Sequence, residues 1–224
     1  GVKLKDILTM ASVKKDAYEV SFNGLDKPSF SSVPDFEKSL KIDHAMDGEV
    51  MVAYEMNGDP LPTLNGYPLK LVVPGWYATY WVGMLSTITV HADTFNGFWM
   101  KKAYLIPKDV RNGNEKPDSL AKNQEPVNKM DIRSIFVSPE PGSILKVNET
   151  TELQGLAFDG GDTITKVELS MDDGHTWFLT NLDSDLGKYA WRRWRYTWKP
   201  FKEATYQIKV RATNAIGETQ SEHQ

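Results

Sequence analysis

No cysteine occurs among the 224 residues, which excludes disulfides, thiolate zinc sites and a cysteine nucleophile within the chain. Long apolar runs are also missing. No stretch approaches the roughly 18 residues that a membrane-spanning helix requires. Neither sign of charge dominates: 26 Lys and Arg against 30 Asp and Glu leave a net charge of −4 and a pI of about 5.6. No basic field therefore argues for nucleic acid or an anionic membrane surface. No signal peptide is expected, because Gly1-Val2-Lys3-Leu4 runs straight into a periodic segment. The four histidines, at 44, 91, 175 and 223, show no ligand spacing, and no Walker-type or dinucleotide-type glycine loop appears. No metal site is expected from these residues.

What is present is enough for a packed core, with 40% hydrophobic and 11% aromatic residues, and the length fits one or two domains. Residues 2–11 (VKLKDILTMA) have helical spacing and Tyr18 to Phe22 alternates as a strand. Phe36 to Ala45 is expected as a short helix, and residues 50–56, 69–73 and 86–90 as strands. From Lys108 to Lys129 the text turns polar and unperiodic and reads as a linker or long surface loop. Beyond it, six short strands follow at regular spacing, separated by turns such as Gly160-Gly161-Asp162 and Asp172-Asp173-Gly174. That pattern predicts an all-β sandwich. Two units meeting near residue 125 are expected.

The segment KYAWRRWRYTWKPFK, residues 188–202, interleaves six basic residues with aromatics and has no acid. As a strand it puts Arg192, Trp194, Tyr196 and Trp198 on one face, with Arg193, Arg195 and Thr197 on the other. A guanidinium on an aromatic face is costly unless it is paired or presented to an anion. Spacing leaves two readings of Arg192 open: stacked on Trp with a structural carboxylate, or turned to an anionic ligand.

Several stretches, in order, resemble the sulfite oxidase family of molybdenum enzymes, and bacterial sulfite dehydrogenase-like members in particular. They are GEVMVAYEMNGDPLP (48–62), NGYPLKLVVPGWYATYW (65–81), GFWMKKAYLIP (97–107), GLAFDGGDTITKVELSMDDGHTW (155–177) and RATNAIGETQ (211–220). The resemblance implies an α+β fold. Residues 1–107 would be the C-terminal half of a molybdopterin-binding domain, 108–129 a linker, and 130–224 an immunoglobulin-like dimerisation sandwich. It implies a molybdenum–molybdopterin cofactor whose metal-ligating cysteine is not in this chain and would lie upstream of Gly1.

Position by position, the resemblance makes Asp26 a pterin contact. Asn65 and Lys70 would meet the cofactor's phosphate end, and Trp81, Val82 and Gly83 would form a main-chain wall. Gly83 departs from a usual Lys, and Leu105 from a common Arg. Tyr104 and Arg192 match the family's active-site tyrosine and sulfite-binding arginine. The implied activity is oxidation of sulfite to sulfate, with sulfite or a similar small oxyanion as the bound partner and electrons passed to a c-type cytochrome in the periplasm by a homodimer. Two alternatives are a non-catalytic subunit acting in complex assembly, and a molybdenum enzyme with another substrate such as nitrate or a sulfoxide.

Overall fold

The computed structural model describes residues 1–108 and 123–221. These divide into two units, the first made of 1–108 with 123–129 and the second of 130–221.

In the first unit, β1 (Val2–Lys3) leads into α1 (Leu4–Met10), whose Leu4 and Leu8 are buried. Then come β2 (Glu19–Gly24), β3 (Glu37–Lys41), α2 (Ile42–Ala45), β4 (Met51–Ala53), β5 (Glu55–Met56) and β6 (Asp59–Pro60). The unit continues with β7 (Lys70–Val72), β8 (Leu85–His91), α3 (Phe98–Lys101), β9 (Leu105–Pro107) and β10 (Gln124–Pro126). Short 3-10 turns at Thr63–Asn65 and Ala78–Tyr80 flank β7. Two three-stranded antiparallel sheets, β1-β4-β7 and β3-β2-β8, carry the core, in which Val20, Phe22, Leu40, Leu71, Val73 and Tyr80 are almost wholly buried.

Two expectations are corrected here. Residues 36–45 are not one helix: Glu37–Lys41 is a strand, and only Ile42–Ala45 makes a helical turn. β3 pairs along its length with β2, Leu40 opposite Val20 and Lys38 opposite Phe22, so cross-strand pairing overrides local helical spacing. The far end of the expected linker is not linker. β10 pairs antiparallel with β9, Glu125 opposite Ile106, and Val127 enters the first core. Main-chain pairing does not require apolar side chains, which is why so polar a stretch concealed it. The middle of that stretch lies outside the described residues.

The second unit contains β11 (Arg133–Ser138), β12 (Thr151–Phe158), β13 (Ile164–Ser170), β14 (Phe178–Leu179), β15 (Asn181–Leu182), β16 (Arg192–Trp198) and β17 (Lys209–Asn214). They form one sheet ordered β11-β12-β16-β15 and another ordered β14-β13-β17. Leu153, Ala157, Trp194 and Trp198 of the first sheet share a core with Val167, Leu169 and Ala212 of the second, so this is a β-sandwich. The strand expected at Trp177 to Thr180 is only the two residues of β14, and β15 follows directly beyond it. The chain switches sheets between β14 and β15, and buried Thr180 anchors the crossing by donating from its N–H and hydroxyl to Val167 O (3.0 and 2.9 Å). The Asp172-Asp173-Gly174 turn is tied by the Asp172 carboxylate. It accepts from Thr176 and Ser170, and these bonds, led by the Thr176 hydroxyl, hold its pKa down at about 2.

Candidate active site

In the first unit, the segments that end β2, precede β7 and precede β8 come together at three glycines. Gly66 takes a left-handed conformation (φ 99°) after the Thr63–Asn65 turn, which a side chain would strain. A Cβ on Gly66 would stand 2.8 Å from Gly83 Cα, and one on Gly83 would stand 3.0 Å from Gly66 Cα. The two backbones therefore touch, locked by the Met84 N–H donating to Gly66 O at 2.9 Å. A Cβ on Gly24 would collide with the Asp26 carboxylate and lie 2.7 Å from Gly83 O. The Lys70 side chain runs past Gly66 and sets its ammonium 5.9 Å from the Trp81 ring centre.

Asp26, Lys70, Trp81 and Gly83 are thus gathered around one backbone contact, with Asn65 exposed beside Gly66 and Val82 buried beneath. The Trp81 indole donates to Val73 O at 2.8 Å, and Val82 O accepts from the Leu71 N–H at 2.8 Å. These bonds fix the segment to β7. Gly83 has a packing reason for its missing side chain that spacing could not reveal: Gly66 lies seventeen positions away in sequence.

Tyr104 lies elsewhere in the same unit, after α3. Its backbone has φ of 53°, an uncommon conformation for a residue with a bulky side chain, and its carbonyl accepts from the Val127 N–H at 2.7 Å. The residue is 46% exposed, and its ring packs edge-on against Phe36 (6.1 Å) and tilted against Trp99 (5.9 Å). Next to it is a residue that sequence reading missed. Lys38 of β3 has no solvent exposure, and its ammonium donates to Trp99 O at 2.9 Å. That ammonium lies 4.5 Å from the Tyr80 ring centre and 5.4 Å from that of Tyr104. Burial pushes its pKa down to about 8 and raises the phenol of Tyr80 well above its usual range. The available signal was the alternation of Lys38 with Leu40, once residues 37–41 are read as a strand.

In the second unit, β16 has the expected parity, with Trp194 and Trp198 buried and Arg192 half-buried on their side. Arg192 has no carboxylate partner among the described residues, so the stacked-and-paired reading is corrected. Its Nε donates to Asp183 O at 3.0 Å and one terminal nitrogen donates to Ile164 O. The Asp183 carboxylate is taken instead by Arg193 (2.6 Å) and Arg195 (3.2 Å) from the other face. Main-chain oxygens therefore aim Arg192, and no carboxylate among the described residues neutralises it. Among the described residues no three His, Asp or Glu side chains gather as a metal site.

With this geometry in hand, the similarity to known proteins is informative. Residues 1–99 match the oxidoreductase molybdopterin binding domain, and residues 124–223 match the Mo-co oxidoreductase dimerisation domain. These matches put the chain in the class of molybdopterin-binding oxidoreductase domains, here an α+β unit followed in sequence by a β-sandwich. Within that class, the chain belongs to the sulfite oxidase family. Mitochondrial sulfite oxidase of Homo sapiens is 31% identical over 205 residues, covering 87% of this chain and 36% of that protein. Nitrate reductase [NADH] of Spinacia oleracea is 30% identical over 213 residues, covering 87% of this chain and 23% of that protein. Among solved structures, the sulfane dehydrogenase SoxCD from Paracoccus pantotrophus superposes with a TM-score of 0.82 at 26% identity, covering 98% of this chain and 52% of that one. The chain therefore spans about a third of the curated sulfite oxidases it matches.

The family's cofactor is molybdenum–molybdopterin, and the glycine contact fits it. The close backbone packing at Gly24, Gly66 and Gly83 leaves the Asp26 carboxylate and the Lys70 side chain beside it, an acceptor that would suit the pterin and a cation that would suit a phosphate. No thiolate for the metal comes from this chain, which has no cysteine.

Proposed function

We propose that this chain is part of a molybdenum oxidoreductase that oxidises sulfite to sulfate. The observation that carries this reading is Arg192, a half-buried guanidinium oriented by two carbonyl oxygens and without a carboxylate partner among the described residues, which suits a small oxyanion. The bound cofactor would supply the two-electron redox chemistry. Asp26, Asn65, Lys70 and the main chain of Trp81, Val82 and Gly83 would hold it. Arg192 would bind the oxyanion through charge-assisted hydrogen bonds, and Tyr104 would orient it and exchange a proton at its phenolic oxygen. A c-type cytochrome is the proposed acceptor, the periplasm the proposed compartment, and a homodimer through the second unit the proposed assembly.

A second reading changes the substrate. The similarity to a sulfane dehydrogenase and to nitrate reductases favours another sulfur species or oxyanion at the same arginine. Steady-state reduction of cytochrome c by the full-length protein with sulfite or thiosulfate as electron donor, and oxidation of reduced methyl viologen with nitrate as electron acceptor, separate these readings. Sulfite-dependent turnover by molybdenum-loaded protein is the expected result. Molybdenum-loaded protein inert toward sulfite would overturn the first reading, and full-length protein that takes up no molybdenum would leave a non-catalytic subunit in its place.

A further inference from the structure

Lys38 occupies a position that packing alone would give to an apolar side chain. It shares the core-facing side of β3 with Leu40 and sits opposite Phe22, and it has no solvent exposure. No carboxylate pairs with it among the described residues. A buried cation without a counter-ion destabilises a fold, and a methionine of similar length would fill the same space at less cost. The ammonium is nevertheless used: it bonds the Trp99 carbonyl on α3 and lies against the rings of Tyr80 and Tyr104. Trp99 is fixed in turn, its indole donating to the carbonyls of Pro34 and Asp35 at 3.1 and 3.0 Å. These contacts converge on Tyr104, the residue in the set with a left-handed backbone and partial exposure to solvent.

We propose that Lys38 is a positioning residue for the substrate site: its ammonium fixes α3 and the Tyr104 ring, and keeps a positive charge beside that ring where an anionic substrate meets it. The proposal rests on reading Tyr104 as a substrate contact. A charge in this apolar setting reaches farther than one in water. The other titratable groups nearby are committed elsewhere. Glu19 of β2 accepts from the Ser39 hydroxyl and the Phe95 N–H, and Lys41 of the same strand as Lys38 pairs with it at 3.7 Å. Glu37 accepts from Asn23, and Glu125 of β10 acts on the Tyr80 phenol.

The test uses the full-length holoenzyme with sulfite as the substrate, comparing Lys38→Met, Lys38→Arg and Tyr104→Phe. Lys38→Met is expected to raise KM for sulfite by about tenfold with a smaller fall in kcat, and Lys38→Arg to restore most of the loss. Independently of turnover, 4-fluorophenylalanine at position 104, whose ring does not itself ionise, should show a fluorine resonance that shifts with pH around a midpoint of about 8. That step should vanish in Lys38→Met. Wild-type kinetics in Lys38→Met beside a defective Tyr104→Phe would overturn the proposal and leave the Tyr104 reading standing. Wild-type kinetics in Tyr104→Phe would remove that reading and the proposal with it. Should Lys38→Met not fold, absence of the fluorine step in the otherwise wild-type protein would overturn it.

Discussion

Lys38 is the residue at which burial and function pull hardest against each other. Its pKa falls from 10.5 in the unfolded chain to about 8 in the fold, because burial disfavours the charged form. Between those values the unfolded chain binds more protons than the native state, so stability rises with pH across the window. The rise amounts to about 3 kcal/mol in all. Denaturant unfolding at pH 7, 9 and 10.5 should therefore show wild type gaining on Lys38→Met as pH increases; a constant difference would mean the ammonium is not desolvated. The two kinds of site residue differed in how far sequence could reveal them. Asn65, Lys70 and Tyr104 lie within stretches of family-like text, and Asp26 and Arg192 lie outside them but could still be picked out by position. The Gly66–Gly83 contact and the Lys38–Tyr104 contact could not, because each joins residues brought together only by tertiary packing.

At the scale of elements, the sandwich was the more legible half. Its strands alternate cleanly, as in β12, where Leu153, Gly155 and Ala157 are buried in turn. Gly155 in that series is a packing position: it pairs with Trp194, and a Cβ there would collide with the indole and with Ile135 O. Trp194 is fully buried and cannot swing aside without opening the core. Gly155→Ala should therefore destabilise the second unit by about 1–3 kcal/mol, read as a lowered thermal midpoint. An unchanged midpoint would show that the two sheets yield more readily than their packing suggests. The first unit was harder to read, because its strands are short and depend on partners distant in sequence. β3 was hidden by a helix-like spacing, and β10 by a polar composition that main-chain pairing tolerates.

At the scale of the whole molecule, the candidate site residues are divided between two units of different architecture. The first holds the glycine contact, Asp26, Lys70 and the Tyr104 cluster; the second holds Arg192. The overall class was legible because the matching segments run in one order through both units. The substrate was not, because the same scaffold occurs in proteins named for sulfite, nitrate and sulfane. What distinguishes the account is the role given to one guanidinium without a carboxylate partner among the described residues. The most direct measurement is the steady-state kinetics of sulfite oxidation by full-length Arg192→Gln, with molybdenum content and thermal midpoint recorded alongside. The account predicts a rise in KM for sulfite of about 100-fold at wild-type molybdenum content, as expected when a charged hydrogen-bond partner of a bound anion is lost. Unchanged sulfite kinetics in a folded, molybdenum-loaded Arg192→Gln would contradict it.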